Sequence, residues 1–276
     1  MDRTVTVLLG LIVLLGCVRP APGAYVDQVL ADGPLAYYRL DETGGTDAFD
    51  TASAHDGTYE GGVTLGQAGP RPADGFLGFE TDNAAPLFNG IDGKVALPTG
   101  FLPTGNSART IEGWFNPDGD ESQTFFTYGP NESGGRVSIT ADADGVAVAV
   151  GGHNYGRQDL SLAGWHHAAV VLPNGATESD EWLLYLDGAE LTGLSGLAGG
   201  PKTIDTTDFN PSIGTASNNN TIWYSGLIDE VAAYDRALSA GEIQDHYEAA
   251  VLPEPGMALL GFVALTVLCL NRRRRG

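Results

Sequence analysis

Strand-like runs of apolar residues, separated by clusters of Gly, Asp, Asn and Pro, recur along residues 25–252. Side chains on a strand alternate between faces, and this short-period pattern, without a long stretch of helical period, predicts an all-β chain. Strands are predicted at 35–40, around Tyr59, and at 86–97, 109–115, 123–128, 136–140, 146–150, 164–172, 182–186, 210–214 and 226–234. Asp144-Gly145 and Asp187-Gly188 mark tight turns. Residues 25–30 suit one or two helical turns ended by Asp32, Gly33 and Pro34, and 68–86 are irregular.

The run at 226–234 organises the rest. Strict alternation puts Ile228, Ala232 and Tyr234 on one face and Leu227, Val231 and Ala233 on the other. A strand apolar on both faces is central and covered from both sides. Asp229 falls among Leu227 and Val231, with Glu230 on the opposite face. A carboxylate there is costly to bury without a metal or several donors. A short helix follows: Ser239 is an N-cap, Glu242 completes a capping box, and Leu238 and Ile243 form a hydrophobic staple.

Both ends depart from this pattern. Residues 5–17 are an apolar run behind Arg3, followed by small residues up to Ala24, which predicts a secretory signal peptide over 1–24. At the other end, Pro253-Glu254-Pro255 precedes an apolar run, 257–270, and the cluster Arg272 to Arg275. Fourteen helical residues reach only about 21 Å, short of a hydrocarbon core, although flanking arginines can snorkel. Between the ends, 25–252 form a single domain with 33 acidic and 8 basic residues. Such a surface repels nucleic acid and attracts divalent cations; solubility is an equally good reason for it. Both cysteines, Cys17 and Cys269, lie in the end segments, so the domain has no disulfide, thiol nucleophile or cysteine metal site.

Five short motifs occur in order: Tyr38-Arg39-Leu40-Asp41-Glu42, Ile111-Glu112-Gly113-Trp114, Gly164-Trp165-His166-His167, Leu184-Tyr185-Leu186-Asp187-Gly188, and the strand from Gly226 to Val231. With the start of the last helix they resemble laminin-G-like, concanavalin A-like jelly-roll domains over roughly residues 30–250. The resemblance implies a sandwich of two antiparallel sheets with a short C-terminal helix. The segment 253–276 resembles the PEP-CTERM sorting signal of Gram-negative bacteria. It implies export, recognition by an exosortase near Pro253, Glu254 and Pro255, transient membrane insertion, and residence at the cell surface or in an extracellular matrix.

Polysaccharide hydrolases of this fold need two carboxylates flanking the scissile bond. No Glu-x-Asp-x-x-Glu strand is present, Asp180 and Glu181 point oppositely, and Asp142 and Asp144 flank a turn, so catalysis is not expected. Neighbouring His166 and His167 face opposite sides and cannot chelate one ion. Trp165, His167, Ala169 and Val171 share a face, which makes His167 a core residue. Relatives of this fold often carry a structural calcium. By position the resemblance assigns it to Asp229, with Asp50 and Asp56 from the 50–57 loop; a hydrogen-bonded carboxylate is the alternative for Asp229. A sugar-binding surface needs aromatic faces beside amide and carboxylate groups. Residues 218–224, with Asn219, Trp223 and Tyr224, and residues 153–157, with Tyr155, offer this, and each aromatic suits the core equally well. The expected function is non-catalytic glycan or matrix binding; a structural matrix protein without a specific glycan is the rival.

Overall fold

The computed structural model describes residues 24–119, 123–216 and 222–252. Helix α1 (Ala24–Ala31) comes first, then β1 (Ala36–Tyr38), β2 (Asp47–Ala48), β3 (Gly57–Glu60), β4 (Val63–Ala68), β5 (Ala84–Asn89) and β6 (Lys94–Ala96). The middle of the chain supplies β7 (Arg109–Pro117), β8 (Thr124–Tyr128), β9 (Val137–Asp142), β10 (Gly145–Val150), β11 (His153–Arg157) and β12 (His166–Leu172). Next come β13 (Leu183–Leu186), β14 (Ala189–Glu190), β15 (Ser195–Ala198), β16 (Ser212–Ile213), β17 (Ser225–Tyr234) and helix α2 (Ala240–Val251). The expected signal peptide, apart from Ala24, and the Pro253-Glu254-Pro255 segment lie outside the described residues. Among the described residues no helix is long and apolar enough to cross a membrane.

The strands form two antiparallel sheets, as the alternating pattern requires. One runs β14-β13-β12-β7-β17-β5-β4, with β1 also on β17; the other runs β15-β11-β10-β9-β8-β16-β6-β3-β2. The main core lies between them and includes Phe88, Phe115, Phe125, Phe126, Ile139, Val148, Val170, Ile213 and Val231. Gly113 sits on this inner face because a Cβ there would come 2.6 Å from the Phe125 ring. This is the physical reason for glycine in the Glu112-Gly113-Trp114 motif. A second core covers the outer face of the first sheet, where Tyr25, Val26 and Val29 of α1 and Ile243 of α2 cluster with Phe79, Trp114 and Tyr234.

The predicted start of α2 is realised. Ser239 Oγ accepts the Glu242 N–H at 3.2 Å, Glu242 Oε2 accepts the Ser239 N–H at 2.7 Å, and Leu238 and Ile243 are buried. Several strands escaped the pattern, β2 and β4 among them. Residues 153–157, read as a binding stretch, are β11, and the Gly-rich connection holds β15.

Strand β17 is central, between β7 and β5, but its alternation is not strict. Against β7, Asp229 pairs with Trp114 and Ala232 with Glu112, so one residue is extra. Glu230 takes it up, with a φ of 54° in the left-handed region, at a cost on the order of 1 kcal/mol. The bulge corrects the face assignment. Ile228, Val231 and Ala233 belong to the main core, Ala232 and Tyr234 to the outer one. Asp229 and Glu230, expected on opposite faces, both stand on the outer side, beside Trp114 and Tyr37 respectively.

Candidate functional site

The outer face of the first sheet can be read as rows across β17, β7 and β12. Ala232, Glu112 and Ala169 form one row; Asp229, Trp114 and His167 form the next. Both lie under the second core and are closed to ligands. One step further, Leu227 pairs with Asn116, and Trp165 follows on from the His166–Phe115 pair. Here the helical cover ends. Leu227, Asn116 and Trp165 floor an open groove of about 580 Å³, walled by Ala68, Gly69, Asp74 and Phe76 and by Ala163 and Gly164. Trp165 and Phe76 are half-buried and Asp74 is exposed. Phe76 is held from behind by Trp114, edge to face at 5.2 Å between ring centroids. The groove thus combines two aromatic surfaces, an amide and a carboxylate. A ring can stack on Trp165 while Asn116 donates or accepts hydrogen bonds and the Asp74 carboxylate accepts them.

Directly behind the Gly69 wall lies a buried acidic group. A Cβ on Gly69 would fall 2.9 Å from Asp229 Oδ2 and 2.6 Å from Asn83 Nδ2, so only glycine lets the chain pass. Asn83 Nδ2 donates to Asp229 Oδ2 at 2.9 Å and to Pro70 O at 3.2 Å. Asp229 Oδ1 and Asn83 Oδ1 are buried with no donor. Burial, and then the neighbouring Glu230 charge, push the Asp229 carboxyl well above the usual range. Glu230 accepts from the Tyr37 hydroxyl and lies 3.4 Å from Arg39 Nε. Burial nonetheless pushes its carboxyl up to about 7. Beside Asn83, a pocket of about 200 Å³ is lined by Arg39, Asp41, Glu80 and Asp82.

The expected calcium ligands are not brought together. Asp50 Oδ1 accepts the N–H groups of Tyr37 at 2.9 Å, Ala52 at 3.0 Å and Ser53 at 3.2 Å. Its Oδ2 accepts the His55 N–H at 3.1 Å and the Ser53 hydroxyl. Burial disfavours the Asp50 charge, but Ser53 and these amides outweigh it and hold the carboxyl below its ordinary value. Asp56 Oδ1 accepts the Asp50 N–H at 2.8 Å. Both carboxylates are thus engaged in building the 50–57 turn, and among the described residues no three His, Cys, Asp or Glu side chains gather to hold an ion. Of the expected set, Asp229 alone has a free buried oxygen, with Asn83 beside it.

The expected sugar-binding residues divide. Tyr224 is fully buried, edge-on to Phe88 at 6.2 Å, so it belongs to the core and offers no face to a ligand. Tyr155 is half-buried and packs against the main core from β11. Trp223 is half-buried and bridges Thr215 through the main chain. Asn219 lies outside the described residues. His167 is buried as expected, with Nε2 3.3 Å from Glu112 Oε2. His166, on the other face, binds Asp187 Oδ2 at 2.8 Å. The groove residue that sequence reasoning passed over is Trp165. It shares a face with His167, as read, but stands at the strand's open end, just after Gly164 with a φ of 87°. That position at a strand end was the available signal.

A comparison with curated protein sequences finds no match. Among solved structures, domain 4 of AbnA, an extracellular arabinanase from Geobacillus stearothermophilus in complex with arabinotriose, is 19% identical with a TM-score of 0.55. The alignment covers 78% of this chain and 98% of that domain. A Trypanosoma rangeli sialidase in complex with sialic acid is 14% identical, with a TM-score of 0.53 over 79% of this chain and 33% of the sialidase. The binding domain of Paraclostridial Mosquitocidal Protein 1 is 13% identical, with a TM-score of 0.51 over 80% of this chain and 53% of that one. These likenesses concern the fold. A family model described as "Concanavalin A-like lectin/glucanases superfamily" matches residues 89–244, more than half of the sequence. With two antiparallel sheets stacked as a jelly roll and the last motif on their central strand, the chain belongs to the laminin-G-like branch of the concanavalin A-like lectin/glucanase superfamily.

Proposed function

We propose that this protein is an exported, non-catalytic binder of glycans, with the Leu227–Asn116–Trp165 row as its ligand floor. The observation that carries the reading is the open groove in which Trp165 and Phe76 stand beside Asn116 and Asp74. Aromatic faces flanked by a few polar groups are the chemistry of sugar recognition. Hydrolysis needs a second carboxylate across the bond, and among the described residues Asp74 is the single acid lining the groove. Arabinotriose and sialic acid in the complexes of the arabinanase domain and the sialidase give the glycan reading further support. Export and exosortase recognition at Pro253-Glu254-Pro255 are carried forward on the sequence resemblance.

The test is a glycan array probed with the purified chain and its Trp165→Ala variant. Saturable binding to a defined glycan, weakened at least tenfold in the variant, is expected. Binding that survives the substitution would move the site elsewhere, and silence across the array would favour the structural matrix protein. Release of reducing sugar from a bound glycan would make it a hydrolase.

We also infer that any structural calcium sits at Asp229 with the Asn83 oxygen, main-chain oxygens and water completing its shell, and not at Asp50 and Asp56. Two buried oxygens without donors support this, because calcium is bound by oxygen alone. The expected result is a melting temperature that drops by several degrees with chelator, and an Asp229→Asn variant that has lost this sensitivity. Identical melts with and without chelator would leave Asp229 as a neutral acid held by Asn83.

A further inference from the structure

The 25–252 segment has only eight basic residues, and most are tied down. Arg39, Lys94, Arg157 and Arg236 make ion pairs. Arg71 and Arg109 donate to main-chain carbonyls. Arg136 and Lys202 remain, and the fold places both at one end of the second sheet, away from the Trp165 groove. Arg136 immediately precedes β9, one step before Val137 of the main core, so its side chain starts from the outer face of that sheet. Its carbonyl accepts the Gly151 N–H at 3.2 Å in the turn between β10 and β11. Gly152, the next residue, has its Cβ position 3.7 Å from Lys202 Cε. The segment carrying Lys202 is held against the turn before β9 by the Asp205 N–H, which donates to Gly134 O at 3.0 Å.

The surroundings of Arg136 are sparse. Gly134, Gly135 and Gly151 pack against neighbouring chain at this end, and Gly152 is exposed. Arg136 Nε and Nη1 are buried and have no hydrogen-bond partner. Burial alone pulls the guanidinium below the usual arginine value, with no neighbouring carboxylate contributing. In a domain with 33 acidic residues this is a marked departure. Two guanidinium nitrogens removed from water without an anion are costly, and the planar fork matches an oxyanion with two parallel hydrogen bonds. Lys202 adds a second charge beside the exposed Gly152.

We propose that Arg136 and Lys202, at the Gly152 end of the second sheet, form a second binding site for the anionic oxygen group of an acidic polysaccharide, a carboxylate or a sulfate ester. That the anion is borne by a polysaccharide rests on the proposed function; the anion site does not. The rest of the surface repels polyanions, so attachment of one to this chain demands a local site.

Titration calorimetry of the full chain with polygalacturonate, dextran sulfate and neutral laminarin in low salt tests this. Polygalacturonate or dextran sulfate is expected to bind, with affinity falling as salt is raised. Arg136→Met and Lys202→Met are each expected to weaken that binding at least tenfold, while Trp165→Ala leaves it unchanged. Arg136→Met is also expected to keep or raise the melting temperature of the free protein, because it removes an unpaired buried charge. The proposal is overturned if neither polyanion binds, if both Met variants bind as the parent does, or if Arg136→Met lowers the melting temperature together with binding. Loss of laminarin binding in Trp165→Ala alone bears on the groove and not on this site.

Discussion

Replacing His246 with Ala is expected to lower the unfolding free energy by about 3–5 kcal/mol, the cost of stranding a buried carboxylate. His246 sits on the buried face of α2, three residues after Ile243, and bridges two acids. Its Nδ1 is 2.9 Å from Glu112 Oε1 on β7, and its Nε2 is 2.9 Å from Asp32 Oδ2, just after α1. Tyr234 donates a further bond to Glu112 Oε1 at 2.7 Å. One imidazolium therefore ties both helices to the centre of the first sheet. Burial disfavours its charge, but Glu112 and then Asp32 outweigh burial and raise it to about 9. Burial likewise opposes the Glu112 charge, and His246 with His167 overcomes it and holds that carboxyl well below its usual range.

The sign of the pH dependence follows. A histidine raised on folding contributes stability that is complete below about pH 6.5, its unfolded value, and is lost as pH rises through about 9. A carboxylate lowered on folding contributes above about pH 4.5 and loses that contribution on acidification. The two shifts describe one interaction, worth on the order of 3 kcal/mol, and are counted once. Urea unfolding of the parent and of His246→Ala should therefore differ most between pH 5 and 6.5 and converge toward pH 10. A gap that stays constant over that range would mean that His246 acts through packing and not through charge.

Trp114→Ala is expected to be as damaging, at about 3–5 kcal/mol, or roughly 6–20 °C in melting temperature for a domain of this size. The side chain is fully buried on the outer face of β7. It packs with Tyr25 at 5.9 Å, Phe79 at 5.5 Å, His167 at 5.4 Å and Tyr247 at 6.0 Å between ring centroids. Elements from 25 to 247 thus meet on one indole, and no single neighbour can collapse into the space it leaves. The substitution also withdraws the support of Phe76, so glycan binding in the groove should weaken even under conditions where the variant is folded. A thermal melt and an array measurement at low temperature separate the two effects. A loss below 1 kcal/mol would mean that the outer core repacks around the vacancy, and normal binding would free Phe76 from dependence on Trp114.

The contrast between Asp229 and Trp165 shows how far local pattern reaches. Asp229 stood out because it interrupted an apolar face, and burial bears out that oddity. What holds it was not legible, because Asn83 lies 146 positions away in the chain and in a segment with no periodicity. Trp165 was read on the correct face, yet its exposure depends on where α1, α2 and the 69–83 segment stop covering that face. Tyr224 failed as a ligand residue for the same kind of reason, since a tyrosine after a polar loop looks alike whether it points to solvent or to Phe88.

By itself, then, the sequence determined the all-β class, most strand positions, the Asp-Gly turns, the central placement of β17 and the capping box of α2. Each depends on neighbours within a few residues, where period, turn chemistry and hydrogen bonding of the local backbone suffice. Tertiary structure alone decided the bulge at Glu230, which swings two adjacent carboxylates to one side because β7 offers one residue fewer than β17 needs. It alone joined Glu112 to His246 and left Arg136 without a partner. These outcomes depend on register and on which segments cover which face, quantities set by packing across the whole chain and carried by no local stretch of it.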